Sequence, residues 1–252
     1  MLLSDHLFII RAIILRNLRL KHLNEPAGFF LEFLRPTITC IAHYFVFSAI
    51  NKPMPAGISF EAFIWGGFTV WLTFIQIYMG LQILHWAKPP PFLGVSPMHM
   101  RLAICAWPVF VNLIFCYVSV AAMKIFGINI DFPNIPLTAF IFLLAAMMGL
   151  GLGLLVEGIC RAAPIASPIF HLMPYILFMS AGIYFSIAIA PPVLQAIFVW
   201  SPVLQLVEYE RYAFDPGYPI NLVSLGYATI CAAGMLFVGL ALNRRLRYWP
   251  GE

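Results

Sequence analysis

From Ala162 to Val207 the chain runs for forty-six residues without an aspartate, glutamate, lysine or arginine. A helix crossing a bilayer needs about 20 apolar residues, so this run is too long for one crossing. Pro164, Pro168, Pro174, Pro191, Pro192 and Pro202 interrupt it too often for two unbroken ones. How the run divides decides on which side of a membrane the C-terminal end lies.

Composition makes the membrane the solvent. The 252 residues are 62% hydrophobic and 10% charged, whereas soluble domains carry about 25% charge. That length suits a single transmembrane domain, 1–252, of about six helices with short connections. The net charge of +4 is modest and sits in loops and near the ends, a topology signal rather than a nucleic-acid surface. Cys40, Cys105, Cys116, Cys160 and Cys231 lie in or beside apolar runs without CxxC pairing and read as small buried hydrophobes. Charges scattered through residues 1–25 argue against a cleavable signal peptide.

Leu3, Leu7, Ile10, Ile14 and Leu18 recur at helical spacing opposite Arg11, Arg16 and Arg19. Residues 1–24 therefore predict an amphipathic helix, lying in the cytoplasmic interface on anionic lipid or serving only as a positive topology signal. Spans are expected at 29–50, 62–84, 102–123, 137–156, 167–189 and 221–242. Glu32 and Arg35 share a face at the cytoplasmic end of the first, and Glu157 with Arg161 forms an exposed pair at the end of the fourth. Gly149 and Gly153 make a GxxxG spacing that lets helix backbones approach closely. In the second span Trp71, Phe74 and Tyr78 recur beside Gln76 and Gln82. Such residues either pack or line a wet path, since an amide in hydrocarbon needs a partner. The loop 85–101 contains three consecutive prolines and exposed apolar residues, and reads as a docking element or a plain interfacial loop.

Residues 193–207 would reach only about 22 Å as a helix, short of a hydrocarbon core of roughly 30 Å. If they dip in without crossing, Arg11, Arg16, Arg19, Lys21, Arg35, Lys88, Arg101, Arg161, Arg244, Arg245 and Arg247 lie inside. Only Lys52, Lys124 and Arg211 then lie outside. The expected fold is an all-α membrane protein of six transmembrane helices. It has an N-terminal interface helix and a re-entrant helical hairpin, 191–218, on the outer face between spans five and six. Both termini are then cytoplasmic.

Intramembrane chemistry has no visible constellation: the sequence holds no HExxH, GxSxG, Walker or GxGxxG motif, and His6, His22, His43, His85, His99 and His171 are scattered. The expectation is a transport subunit rather than an enzyme, with no cofactor or metal of its own.

The stretch Ser201–Tyr218, SPVLQLVEYERYAFDPGY, carries a resemblance. Pro202, Glu208, Arg211, Pro216, Gly217 and Tyr218 match the pattern of the permease subunit of type-2 ABC exporters, specifically those exporting capsular polysaccharide in Gram-negative bacteria. Ser201 and Gln205 stand where that pattern has asparagine and histidine. Val223–Arg245 is similar to the family's last span. Pro97 and Met98 match its cytoplasmic loop, while Ser96 and His99 depart from it.

The resemblance implies a bacterial inner-membrane assembly of two copies of this chain with two ATP-binding subunits, ATP and magnesium being held by those partners. A periplasmic adaptor and an outer-membrane channel would complete the path of a lipid-linked polysaccharide. It implies that 85–101 is the coupling loop, with Phe92, Leu93, Ser96, Pro97, Met98, His99 and Arg101 meeting the ATPase. Arg11, Arg16 and Arg19 become cytoplasmic gate residues. Trp71, Phe74, Gln76, Tyr78, Tyr175, Phe178 and Tyr184 become lining residues, since sugars stack on aromatics and bond to amides. Glu208 and Arg211, three apart, either cap the re-entrant element at the periplasmic gate or simply hold the hairpin in place. Related substrates (O-antigen, teichoic acid, a lipid or a drug) and an enzyme acting on lipid-linked sugars are the alternatives.

Overall fold

The computed structural model describes residues 3–21, 28–49, 58–86 and 96–246, and the regular structure among them is entirely helical. The helices are α1 (Leu3–Lys21), α2 (Gly28–Ser48), α3 (Phe60–Trp86), α4 (Pro97–Ile125), α5 (Ile135–Ala162), α6 (Ser167–Ser180), α7 (Pro192–Phe198), α8 (Pro202–Phe214) and α9 (Leu225–Leu246).

Local chemistry sets the helix ends. At the start of α4 the Ser96 hydroxyl accepts from the His99 amide while the His99 ring accepts from the Ser96 amide, and Pro97 takes the first position, where its missing N–H costs nothing. The Asn134 side chain accepts from the Leu137 amide to open α5, which stops at Ala163 before Pro164.

Among the described residues, four helices are long and apolar enough to cross a membrane: Phe60–Gln82, Pro97–Ile125, Ile135–Ala162 and Leu225–Arg245. They coincide with the expected second, third, fourth and sixth spans. Over the expected first span lies α2, with Pro36 inside it. Over the expected fifth lies α6, which ends at Ser180 rather than continuing to 189. The chain there turns through Ala181 and Gly182, and Gly182 has φ +67°, a left-handed conformation that glycine adopts without strain. The stretch 193–207 forms two short helices, α7 and α8, joined at a corner.

The core is organised on α5, packed by α3 on one side and α9 on another. Three glycines make this possible. A Cβ on Gly149 would lie 2.7 Å from the Phe74 carbonyl of α3, and one on Gly153 would strike Leu81. Gly151 points elsewhere, onto the backbone of α9 at Met235, and Gly239 of α9 returns the contact, since a Cβ there would lie 2.6 Å from the Gly151 carbonyl. So the GxxxG spacing serves packing within the chain, and the intervening glycine welds a second helix to α5.

Candidate functional site

Arg211 is wholly buried on α8, and all five of its N–H donors are used. Nε donates to the Phe63 carbonyl at 3.2 Å. Nη1 donates to Glu208 at 2.9 Å and the Phe185 carbonyl at 3.2 Å, and Nη2 to the Gly182 and Ile183 carbonyls at 2.9 and 3.0 Å. The guanidinium also lies 3.5 Å from the centre of the Phe63 ring. Gly66 and Gly67 keep α3 bare where the cation sits; a Cβ on Gly67 would be 3.1 Å from Nη2.

Glu208 is equally buried and its second oxygen accepts from the Tyr218 hydroxyl at 2.8 Å, with the Ile187 amide donating to the first at 3.3 Å. Burial pushes the Tyr218 hydroxyl above its ordinary range, so it stays a neutral donor. The pair expected from the spacing of Glu208 and Arg211 therefore forms, at the centre of a site that ties α3, α8 and the 181–187 turn together. Gln205, in the first turn of α8, holds the same corner: it donates to the Val199 carbonyl and accepts from the Ser224 amide at the entrance to α9, both at 2.6 Å.

Beside this site Glu210 is buried with one oxygen accepting from Thr138 at 3.1 Å and the other without a partner. Burial raises its carboxyl to about 8, well above the ordinary carboxylate range.

At the opposite end of the fold, Glu157 and Arg161 pair at 2.8 Å, but not as the expected exposed pair: Glu157 is buried. The same carboxylate oxygen accepts from Arg101 at 2.6 Å. Arg101 also donates to the side-chain oxygen of Asn243 at 3.0 Å, and the side-chain nitrogen of Asn243 donates to the Leu154 carbonyl at 2.7 Å.

Of the coupling-loop residues, Phe92 and Leu93 lie outside the described residues. Pro97 is exposed, Ser96 and Met98 half-buried, and His99 and Arg101 buried against the chain itself. His99 meets His6 of α1 at 2.7 Å between ring nitrogens. Arg11, Arg16 and Arg19 all stand exposed on α1.

Four of the residues named as lining gather in one aromatic cluster. Trp71 lies 5.7 Å from Phe74 and 5.3 Å from Phe178, and Phe178 lies 5.0 Å from Tyr184. Sequence reasoning missed three members: Phe47 stacked on Tyr184 at 4.4 Å, Phe68, and His43, whose ring lies 4.3 Å from Phe68. His43 falls at helical spacing from Phe47, a signal available in the sequence. Gln76 accepts from Asn112 at 3.1 Å, and Tyr78 donates to the Phe170 carbonyl at 3.1 Å, apart from the cluster. Tyr175 faces outward. Among the described residues no three His, Cys, Asp or Glu side chains gather to hold a metal.

These features define a class: an all-helical membrane protein whose buried polar groups are engaged mainly in fastening helices to one another. No family model matches the chain. It is similar along nearly its whole length to two Escherichia coli proteins, each a polysialic acid transport protein KpsM. One is 23% identical over 238 residues and the other 25% over 243, covering 93% of this chain and 92% of each relative. The resemblance to capsular-polysaccharide export permeases is thus carried by the full chain and not by the Ser201–Tyr218 stretch alone.

Proposed function

We propose that this protein is the transmembrane subunit of an ATP-driven exporter that moves a lipid-anchored capsular polysaccharide out of the cytoplasm across the inner membrane. The observation that carries this reading is the similarity over 93% of the chain to polysialic acid transport proteins. Two helices too short or too interrupted to count as spans by apolar length, α2 and α6, complete six crossings in this reading, with α7 and α8 re-entrant on the outer face. Both termini are cytoplasmic.

Two copies of the chain act with two ATP-hydrolysing subunits, a periplasmic adaptor and an outer-membrane channel. The Phe92–Arg101 segment meets the ATPase, with Pro97 as the exposed point of contact and the capped first turn of α4 behind it. Arg11, Arg16 and Arg19 attract the anionic head of the lipid-linked polymer at the cytoplasmic gate. In the closed state the Trp71–Phe74–Phe178–Tyr184 cluster is packed shut. It becomes a stacking surface for sugar rings as α2 and α6 separate from α3. Glu208 and Arg211 hold the α7–α8 element over the outer end of this path.

Deletion in the source organism tests the reading. Glycolipid-anchored polymer should accumulate in the cytoplasm and return to the surface on complementation; normal surface polymer in the deletion strain would refute it.

A further inference from the structure

We propose that the His6–His99 contact is a proton-sensitive latch, holding α1 against the first turn of α4 at neutral pH and releasing it on acidification. The latch stands on its own geometry; its bearing on export rests on the exporter reading above.

The donors around the two rings fix where their hydrogens lie. The Ser96 amide can only donate, and it meets Nδ1 of His99 at 3.1 Å, so that nitrogen is bare. The neutral ring then carries its hydrogen on Nε2, which lies 2.7 Å from Nδ1 of His6 and donates to it. Nδ1 of His6 is therefore bare as well, and the His6 hydrogen sits on Nε2. The ring centroids are 5.0 Å apart, with His99 buried and His6 half-buried.

This line of bonds has no place for another proton. A proton added to Nδ1 of His6 sets two N–H groups against each other across the contact. If the His99 hydrogen moves to Nδ1 in relief, it confronts the Ser96 amide. The Ser96 hydroxyl, 3.2 Å away, could accept it, but the amide would lose its partner and the cap of α4 half its bonding. One bond or the other goes. The docked form thus holds fewer protons than the released one, so docking weakens as pH falls. Imidazole is the side chain that gains a proton close to physiological pH.

Neighbouring charges do not offset this. Arg101, the charged residue of that turn of α4, is turned onto Glu157 of α5 and Asn243 of α9, and Glu157 also accepts from Arg161. Arg11, Arg16 and Arg19 of α1 are exposed, and among the described residues no carboxylate bonds to either ring. α1 packs mainly against α4, and none of its described side chains is fully buried. A hydrogen bond shifts an equilibrium by roughly two- to tenfold, enough to decide a helix held so lightly. In the exporter reading, release carries Arg11, Arg16 and Arg19 away from the cytoplasmic gate.

The test uses the full chain in phosphatidylcholine nanodiscs, whose headgroups do not titrate in the range studied. Nitroxides on Ala12→Cys and Ala106→Cys, both exposed positions, report the α1–α4 distance by double electron–electron resonance. Cys231, the half-buried native thiol, is replaced by serine, and an excess of unlabelled chain confines the signal to single copies. Between about pH 7.5 and about pH 5.5 the wild-type distribution should gain a longer component. His6→Asn places an oxygen acceptor where Nδ1 stood, does not titrate, and should stay docked at both. His99→Asn keeps an acceptor for the Ser96 amide but lacks the Nε2 donor, and should show the longer component already at the higher pH.

A wild-type distribution unchanged by acid overturns the latch, and so does a His6→Asn protein that responds as wild type does. The first of these needs no histidine variant, so a substitution that fails to fold leaves the decision intact. Normal surface polymer in the deletion strain would remove the exporter reading, while the distance titration still decides the latch.

Discussion

Replacing Arg211 by lysine separates a charge requirement from a geometric one. The guanidinium delivers five donors from three nitrogens to acceptors on α3, α8 and the 181–187 turn. A lysine ammonium delivers three from one point, so at least two acceptors lose their donor. Among the described residues the Ile183 and Phe185 carbonyls have no other donor, whereas Gly182 also accepts from the Phe185 amide. Each buried acceptor left bare costs about 1–3 kcal/mol, so Arg211→Lys should destabilise the fold by roughly 2–6 kcal/mol with the charge retained.

Arg211→Met should cost about as much or more, because it strands Glu208 as a buried charge, a loss of about 3–5 kcal/mol. Adding Glu208→Gln to it should recover part of that loss. The assay is unfolding of the purified chain in mixed micelles by titration with sodium dodecyl sulfate, followed by fluorescence of Trp65 and Trp71, which lie in the same helix as Gly67. A lysine variant within about 1 kcal/mol of wild type would refute the reasoning, as would a double variant no better than Arg211→Met.

Other perturbations have defined outcomes. The raised carboxyl of Glu210 means the folded chain keeps a proton that the unfolded chain releases, so its contribution is full below about 4.5 and is lost as pH rises towards about 8; Glu210→Gln should flatten this fall in a pH series of the same unfolding titration. Gly149→Ala places a Cβ 2.7 Å from the Phe74 carbonyl and should cost about 1–3 kcal/mol of unfolding free energy by forcing α3 away from α5. Ser96→Ala removes the cap of α4 at a cost of about 1 kcal/mol, readable as faster amide exchange over His99–Arg101 than in the rest of α4.

The spans were legible where apolar length and charge placement agreed, as in α3, α4, α5 and α9. The end of α6 was not, because nothing in a continuous apolar run marks a left-handed turn except Gly182 itself. The Glu208–Arg211 pair was visible in its spacing, yet the size of the site was not, since its acceptors are backbone carbonyls that any residue supplies. The paired glycines Gly66 and Gly67, in a span otherwise rich in large aromatics, were the one mark of where the arginine lies. Arg101 with Asn243 was hidden for a different reason: the two are separated by 142 residues, and only folding puts them together.

The weld between Gly151 and Gly239 also bears on the order in which the fold can close. One half of that contact lies in α9, which is synthesised after α5. Until α9 has entered the bilayer, α5 presents a bare backbone notch, and the Arg101–Glu157 pair sits at its end without Asn243. A chain cut short before residue 239 would leave both the notch and the Arg101 site open. Docking of α9 against α5 is thus the step that both closes the glycine notch and completes the polar site around Arg101.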